Sequence, residues 1–130
     1  MDQQVIAQGD GHLSTKPETR VLLELCNEMV RIYKDIFGRG PTRARADWAG
    51  PDAVLCTLED TLTRAERKMV EVGDHQRLRD TRMFFQHVCQ DDFRAAVERI
   101  TGRKVRAFVS GIDTDTDVSS EVFYLERSAA

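Results

Sequence analysis

Phe37-Gly38-Arg39-Gly40-Pro41-Thr42-Arg43-Ala44-Arg45-Ala46 is the stretch that decides how this chain is laid out. A helical pattern runs into it, two glycines and a proline stop the helix, and alternating basic residues follow as a strand would carry them. Upstream, Val21, Leu22, Leu25, Met29, Ile32 and Ile36 recur at three- and four-residue steps. That stripe predicts an amphipathic helix over 17–37, opened by the Ser14-Thr15-Lys16-Pro17 start signal. Gly38 ends it, because glycine accepts the left-handed conformation at little cost.

Downstream, 42–48 and 53–59 read as two strands joined by Ala49-Gly50-Pro51-Asp52. Thr63-Arg64-Ala65-Glu66 has capping-box spacing and starts a helix that Gly73 stops. Residues 74–101 read as one long helix with an apolar stripe through Leu78, Met83, Phe84, Phe85, Val88, Phe93 and Val97. Arg77, Arg79, Asp80, Arg82, Asp91 and Asp92 are assigned to its solvated face. Gly102 stops that helix, and Val105–Ile112 and Val118–Glu126 follow as a second strand pair.

The expected fold is α+β in the order α-β-β-α-α-β-β, a four-stranded, mostly antiparallel sheet with helices packed on one face. Superposing Gly38-Arg39 on Gly102-Arg103 aligns the two preceding helices without gaps and brings Arg43-Ala44 onto Arg106-Ala107. The expectation is an αββ unit used twice. Residues 1–16 are polar and glycine-containing and are expected to form a flexible tail, with 17–127 as a single domain.

The chain has 130 residues, a net charge of −3 and no apolar run long enough to cross a bilayer. Bulk nucleic-acid binding is disfavoured by that charge. No basic and apolar leader opens the sequence, and the three cysteines, Cys26, Cys56 and Cys89, stand far apart. Scattered thiols fit a reducing compartment, so the cytoplasm is the expected location, without membrane insertion.

Chemistry-bearing residues are sparse. Arg39, Arg43 and Arg45 follow glycines whose freed N–H groups can line a concavity, which points to a site for a small anion such as bicarbonate, phosphate or a nucleotide. The competing reading is a helix stop followed by an exposed strand with solvated arginines. Asp113, Asp115 and Asp117 have calcium-loop spacing, but no Gly follows Asp117 and Tyr124 stands where the bidentate Glu belongs, so ordinary turn chemistry is expected. No His, Cys or carboxylate set has metal-ligand spacing, and no nucleophile–base pair is evident; neither a metal nor a cofactor is expected, and no catalytic residue is assigned.

The segments "FGRGPTRARA", "VLCTLEDTLTRAERKMVEVGD" and "VRAFVSGIDTDTDVSSEVFYLE" resemble the MpsC family of small bacterial proteins. The family pattern G-R-G-P-x-x-x-x-A falls on Gly38, Arg39, Gly40, Pro41 and Ala46, and L-T-x-A-E on Leu62, Thr63, Ala65 and Glu66. The family takes its name from a sodium-translocating, membrane-potential-generating system, also linked to inorganic-carbon supply. The resemblance implies a non-enzymatic cytoplasmic accessory or regulatory protein with protein partners, among them a membrane transport complex. The broad apolar stripe of the 74–101 helix adds the expectation of a homodimer.

Overall fold

The computed structural model describes residues 17–127; the stretch 1–16, expected to be a tail, lies outside the described residues. The elements run α1 (Pro17–Phe37), β1 (Arg43–Trp48), β2 (Ala53–Glu59), α2 (Arg64–Glu71), α3 (His75–Val88), α4 (Gln90–Thr101), β3 (Val105–Asp113) and β4 (Val118–Leu125). This is the expected α+β fold, with one helix more than the expected order. The region read as a single helix over 74–101 is two helices that meet at Cys89.

The break has a local cause. Cys89, at φ −99° and ψ 10°, leaves the helical region, and its carbonyl accepts from the N–H groups of Asp92 and Phe93. A new helix N-terminus therefore starts there, with Asp91 and Asp92 in its first turn, where carboxylates favour the helix dipole. Those adjacent acids were the sequence signal for the break.

The sheet order is β1-β2-β4-β3 and every neighbouring pair is antiparallel. Two hairpins thus meet along β2 and β4, the arrangement a twice-used αββ unit requires. α1 packs on β1 and β2, α4 packs on β3, and the two helices touch each other. Both end in the same way. Gly38 (φ 83°) returns its N–H to Lys34 O at 2.9 Å, and Gly102 (φ 72°) to Glu98 O at 2.8 Å.

Alternation along the strands separates two faces. Inward stand Ala44 and Ala46 of β1, Val54, Cys56 and Leu58 of β2, and Ser119, Glu121, Phe123 and Leu125 of β4, all buried. They close on Leu25, Cys26, Met29, Ile32 and Tyr33 of α1 and Phe93, Ala96 and Val97 of α4. Phe108, half-buried, stacks on Phe123 at 4.6 Å between centroids and 2° between planes, and reaches Phe93 at 5.3 Å. Trp48 is partly buried against the same core, whereas Tyr124 lies on the opposite face with Arg106 over its ring at 5.5 Å. That outer face also carries Arg43, Arg45, Leu55, Val122 and Val109, and β2 is central in the sheet.

α3 differs from the expectation most. Its buried residues are Leu78, Arg82 and Gln86, one stripe at four-residue steps, while Phe84 and Val88 are each 59% exposed and Met83 45%. Arg82, assigned to the solvated face, is buried. Met83, Phe84 and Val88, assigned to the apolar stripe, face away from the core. The helix is packed polar side in.

An added Cβ at Gly102 meets nothing within 4 Å, so replacing it with alanine costs backbone conformation alone. Gly102→Ala is expected to lower unfolding stability by about 1 kcal/mol, read from urea denaturation, with Gly102→Asn losing less.

Candidate functional site

The segment Thr61-Leu62-Thr63 between β2 and α2 has its backbone and cap groups claimed by four other parts of the chain. Asp117, at φ 58° in the β3–β4 turn, accepts from Thr61 N at 2.9 Å, Leu62 N at 3.1 Å and Thr61 Oγ1 at 3.2 Å. Arg39 donates Nη1 to Leu62 O at 2.7 Å and pairs with Asp60 at 3.3 Å. Arg82 donates Nη2 to Thr61 O at 3.0 Å. Thr63 and Glu66 form the expected capping box, Thr63 N to Glu66 Oε1 at 2.8 Å and Glu66 N to Thr63 Oγ1 at 3.2 Å. Glu66 then holds Arg82 through both carboxylate oxygens, at 2.8 Å to Nε and 2.6 Å to Nη2. The Arg82 guanidinium also lies 3.7 Å over the Phe37 ring.

Arg39, Arg43 and Arg45 have separate surroundings. Arg39 is held by Leu62 O and Asp60. Arg45 pairs with Asp47 at 3.3 Å on the outer face of β1, and Arg43 stands opposite Glu59 in the β1–β2 register. Arg103, the counterpart of Arg39, likewise ties its glycine stop to the end of a strand pair, through Glu126 O at 2.7 Å, Pro51 O at 3.0 Å and Asp52 at 2.6 Å. Gly40 and Pro41 are buried. The Asp113 side chain accepts from Asp115 N and Thr116 N, both at 3.0 Å, which is turn chemistry.

A buried polar cluster that sequence reasoning missed lies beneath α3. Glu121, in the middle of β4, is fully buried on the inner face, between Cys56 on β2 and Ser110 on β3. Its Oε2 accepts from Gln86 Nε2 at 2.6 Å and from the Tyr33 hydroxyl; Gln86 also reaches the Tyr33 oxygen at 3.2 Å. Glu121 Oε1 and Gln86 Oε1 are buried without a hydrogen-bond partner. Only the alternation of β4 could have pointed to them, since Glu121 shares a face with Phe123 and Leu125.

Burial pushes Glu121 from 4.5 up to about 7, outweighing the hydrogen bonds of Tyr33, Ser110 and Gln86 and the field of Arg82. Burial beside Glu121 drives the Tyr33 hydroxyl upward too. Desolvation likewise raises Cys26 to about 11 and lifts Cys56 and Cys89, so these thiols stay protonated. Glu66 runs the other way: its burial is outweighed by the Arg82 and Thr63 hydrogen bonds, and it is held below the usual range.

A family model described as "Na+-translocating membrane potential-generating system (MpsC)" matches residues 18–127. The chain belongs to the MpsC family. No curated protein and no solved structure matches it. Both MpsC patterns meet in the geometry above, because Arg39 of the first donates to Leu62 of the second. Among the described residues, no helix of this MpsC protein is long and apolar enough to cross a membrane.

Two expectations follow. Between about 4.5 and about 7 the native state keeps a proton on Glu121 that the unfolded chain has released, so stability falls as pH rises through that window. Below it, Glu28, held down by its bond from Arg31, and Glu66 take up protons and stability falls again. Thermal unfolding should therefore peak near pH 5, and Glu121→Gln should flatten the upper limb, worth about 2–4 kcal/mol. Separately, Arg82→Met leaves the buried Glu66 carboxylate without its cation and Thr61 O without the Arg82 donor, and should cost about 3 kcal/mol in urea unfolding, with Arg82→Lys recovering only part, since it lacks the planar fork.

Proposed function

We propose that this MpsC-family chain is a non-enzymatic, cytoplasmic accessory protein of the membrane-potential-generating system, acting through contact as a homodimer built on the outer face of α3. The polar-side-in packing of α3 carries this reading. It turns Met83, Phe84 and Val88 to the surface, and Phe85, 37% exposed, joins them through an edge-to-face contact with Phe84 at 5.3 Å. Clustered exposed aromatics of this kind mark interaction surfaces. The groove beside Phe84 and Phe85 is rimmed by Asp74, Asp80 and Arg77. A rim with both signs of charge suits a two-fold contact, in which each copy sets its acids against the other's base.

Light scattering at high protein concentration should give twice the 14.8 kDa chain mass. Phe84→Glu should return the monomer, and Val109→Glu, on the open face of the sheet, should leave the dimer intact. A monomer at every concentration would refute the dimer, and the reverse ranking of the two variants would place the contact on the sheet instead.

A further inference from the structure

We infer that the space between α3 and β3 is a binding site for one small monovalent cation, held by Glu121 Oε1 and Gln86 Oε1 with the Ser110 hydroxyl beside them. The site does not depend on the outer face of α3.

The unpaired atoms define the ligand. Two buried oxygens, on side chains at 0% and 6% exposure, have no donor. Buried acceptors are ordinarily satisfied, and an exception points to a water or an ion. Ser110 stands directly across from Glu121 on β3, on the same inner face of the sheet. A carboxylate oxygen and an amide oxygen thus stand unpaired on two side chains in contact, with a hydroxyl on the adjacent strand. An anion is excluded by that charge.

The charge has only the field of Arg82 to answer it, and no ion pair. The nearest cation, Arg82, spends its guanidinium on Glu66 and Thr61. The other groups facing Glu121 are Tyr33 of α1, Gln86 of α3, Cys56 of β2 and Ser110 of β3, and none is positive. A lone ionised carboxylate in such surroundings is costly, so Glu121 takes a proton or a cation. One carboxylate with neutral oxygens balances a single positive charge, whereas divalent sites gather several carboxylates.

There is also a way in. A cavity of about 120 Å³ opens beside Gln86 and Ser110, rimmed by Met83, His87, Gln90 and Phe108. Two of its lining residues, Gln86 and Ser110, are neighbours of Glu121. Sodium or potassium can be coordinated directly by these oxygens, whereas the methyl groups of choline keep its charge beyond coordination distance. Because proton and cation take the same carboxylate, each weakens the other's hold.

The test uses the whole chain at pH 8 and constant ionic strength, exchanging choline chloride for sodium or potassium chloride. Going from about 5 to about 200 mM of the bound cation should raise Tm by about 5 °C, and the salt with the larger rise identifies the better-fitting ion. Glu121→Gln should abolish the rise. Equal Tm in all three salts would mean that a water fills the site and would overturn the inference, as would an undiminished rise in Glu121→Gln. Should that variant not fold, carboxyl-carbon NMR of the unaltered protein decides: saturating cation should lower the Glu121 midpoint by about one pH unit, and an unmoved midpoint overturns the proposal.

Discussion

The arrangement of this molecule turns on a buried ion pair, Arg82 of α3 with Glu66 of α2. An arginine at 2% exposure is tolerated only if nearly every donor is used, and here both carboxylate oxygens of Glu66, the Thr61 carbonyl and the Phe37 ring use them. Glu66 can serve because it is the third residue of a capped helix, oriented by its own bond to Thr63 N. The cap therefore does two jobs. It starts α2, and it fixes the acid that draws α3 onto the sheet. α2 has no buried residue of its own, so its place in the fold rests on these polar ties rather than on apolar burial.

The two glycine–arginine stops are a second constraint, used twice. At each, a left-handed glycine turns the chain from helix to strand, and the next arginine reaches across to a carbonyl beyond the far end of the hairpin, Leu62 O or Glu126 O. The strand ends are closed in the same manner, by Thr42 N to Glu59 O at 3.1 Å and Glu126 N to Lys104 O at 2.8 Å. Arginine suits this role because a planar fork holds two partners at once. A guanidinium engaged by carbonyl and carboxylate oxygens, as that of Arg39 is, has fewer donors left for an external anion.

Much of the architecture was legible because it rests on local rules. Glycine stops, the Thr63–Glu66 capping box, alternating strands and the α1 stripe all state their structure within a few residues. The candidate site was not, for two reasons. An apolar stripe assumes that apolar residues face inward, and along 74–88 that assumption fails, since the inner stripe is Leu78, Arg82 and Gln86. The partners that make it fail, Glu66, Tyr33 and Glu121, lie 16, 53 and 35 residues from those they meet. No window on the sequence holds both sides of such a contact. The two glycine–arginine stops, by contrast, could be read because each is a short local motif, and the symmetric strand order fits an αββ unit used twice.

The polar interior and the apolar exterior of α3 are one fact seen from two sides. A helix turns about 100° per residue, so Phe84 lies about 200° from Arg82 and Val88 about 200° from Gln86. Committing the inner stripe to Arg82 and Gln86 sends those apolar side chains outward, whatever partner meets them. Removing the buried polar cluster would not by itself rotate the helix, because Leu78 shares the inner stripe and is fully buried. The tie at Arg82 and the anchor at Leu78 together keep the helix in this orientation. Gln86, at the far end of the same stripe, is thereby held at 2.6 Å from the Glu121 carboxyl while Phe84 and Val88 stay in solvent. Any contact that shifts α3 from outside must move Gln86 against Glu121, so the outer face and the buried carboxylate share a single rigid element.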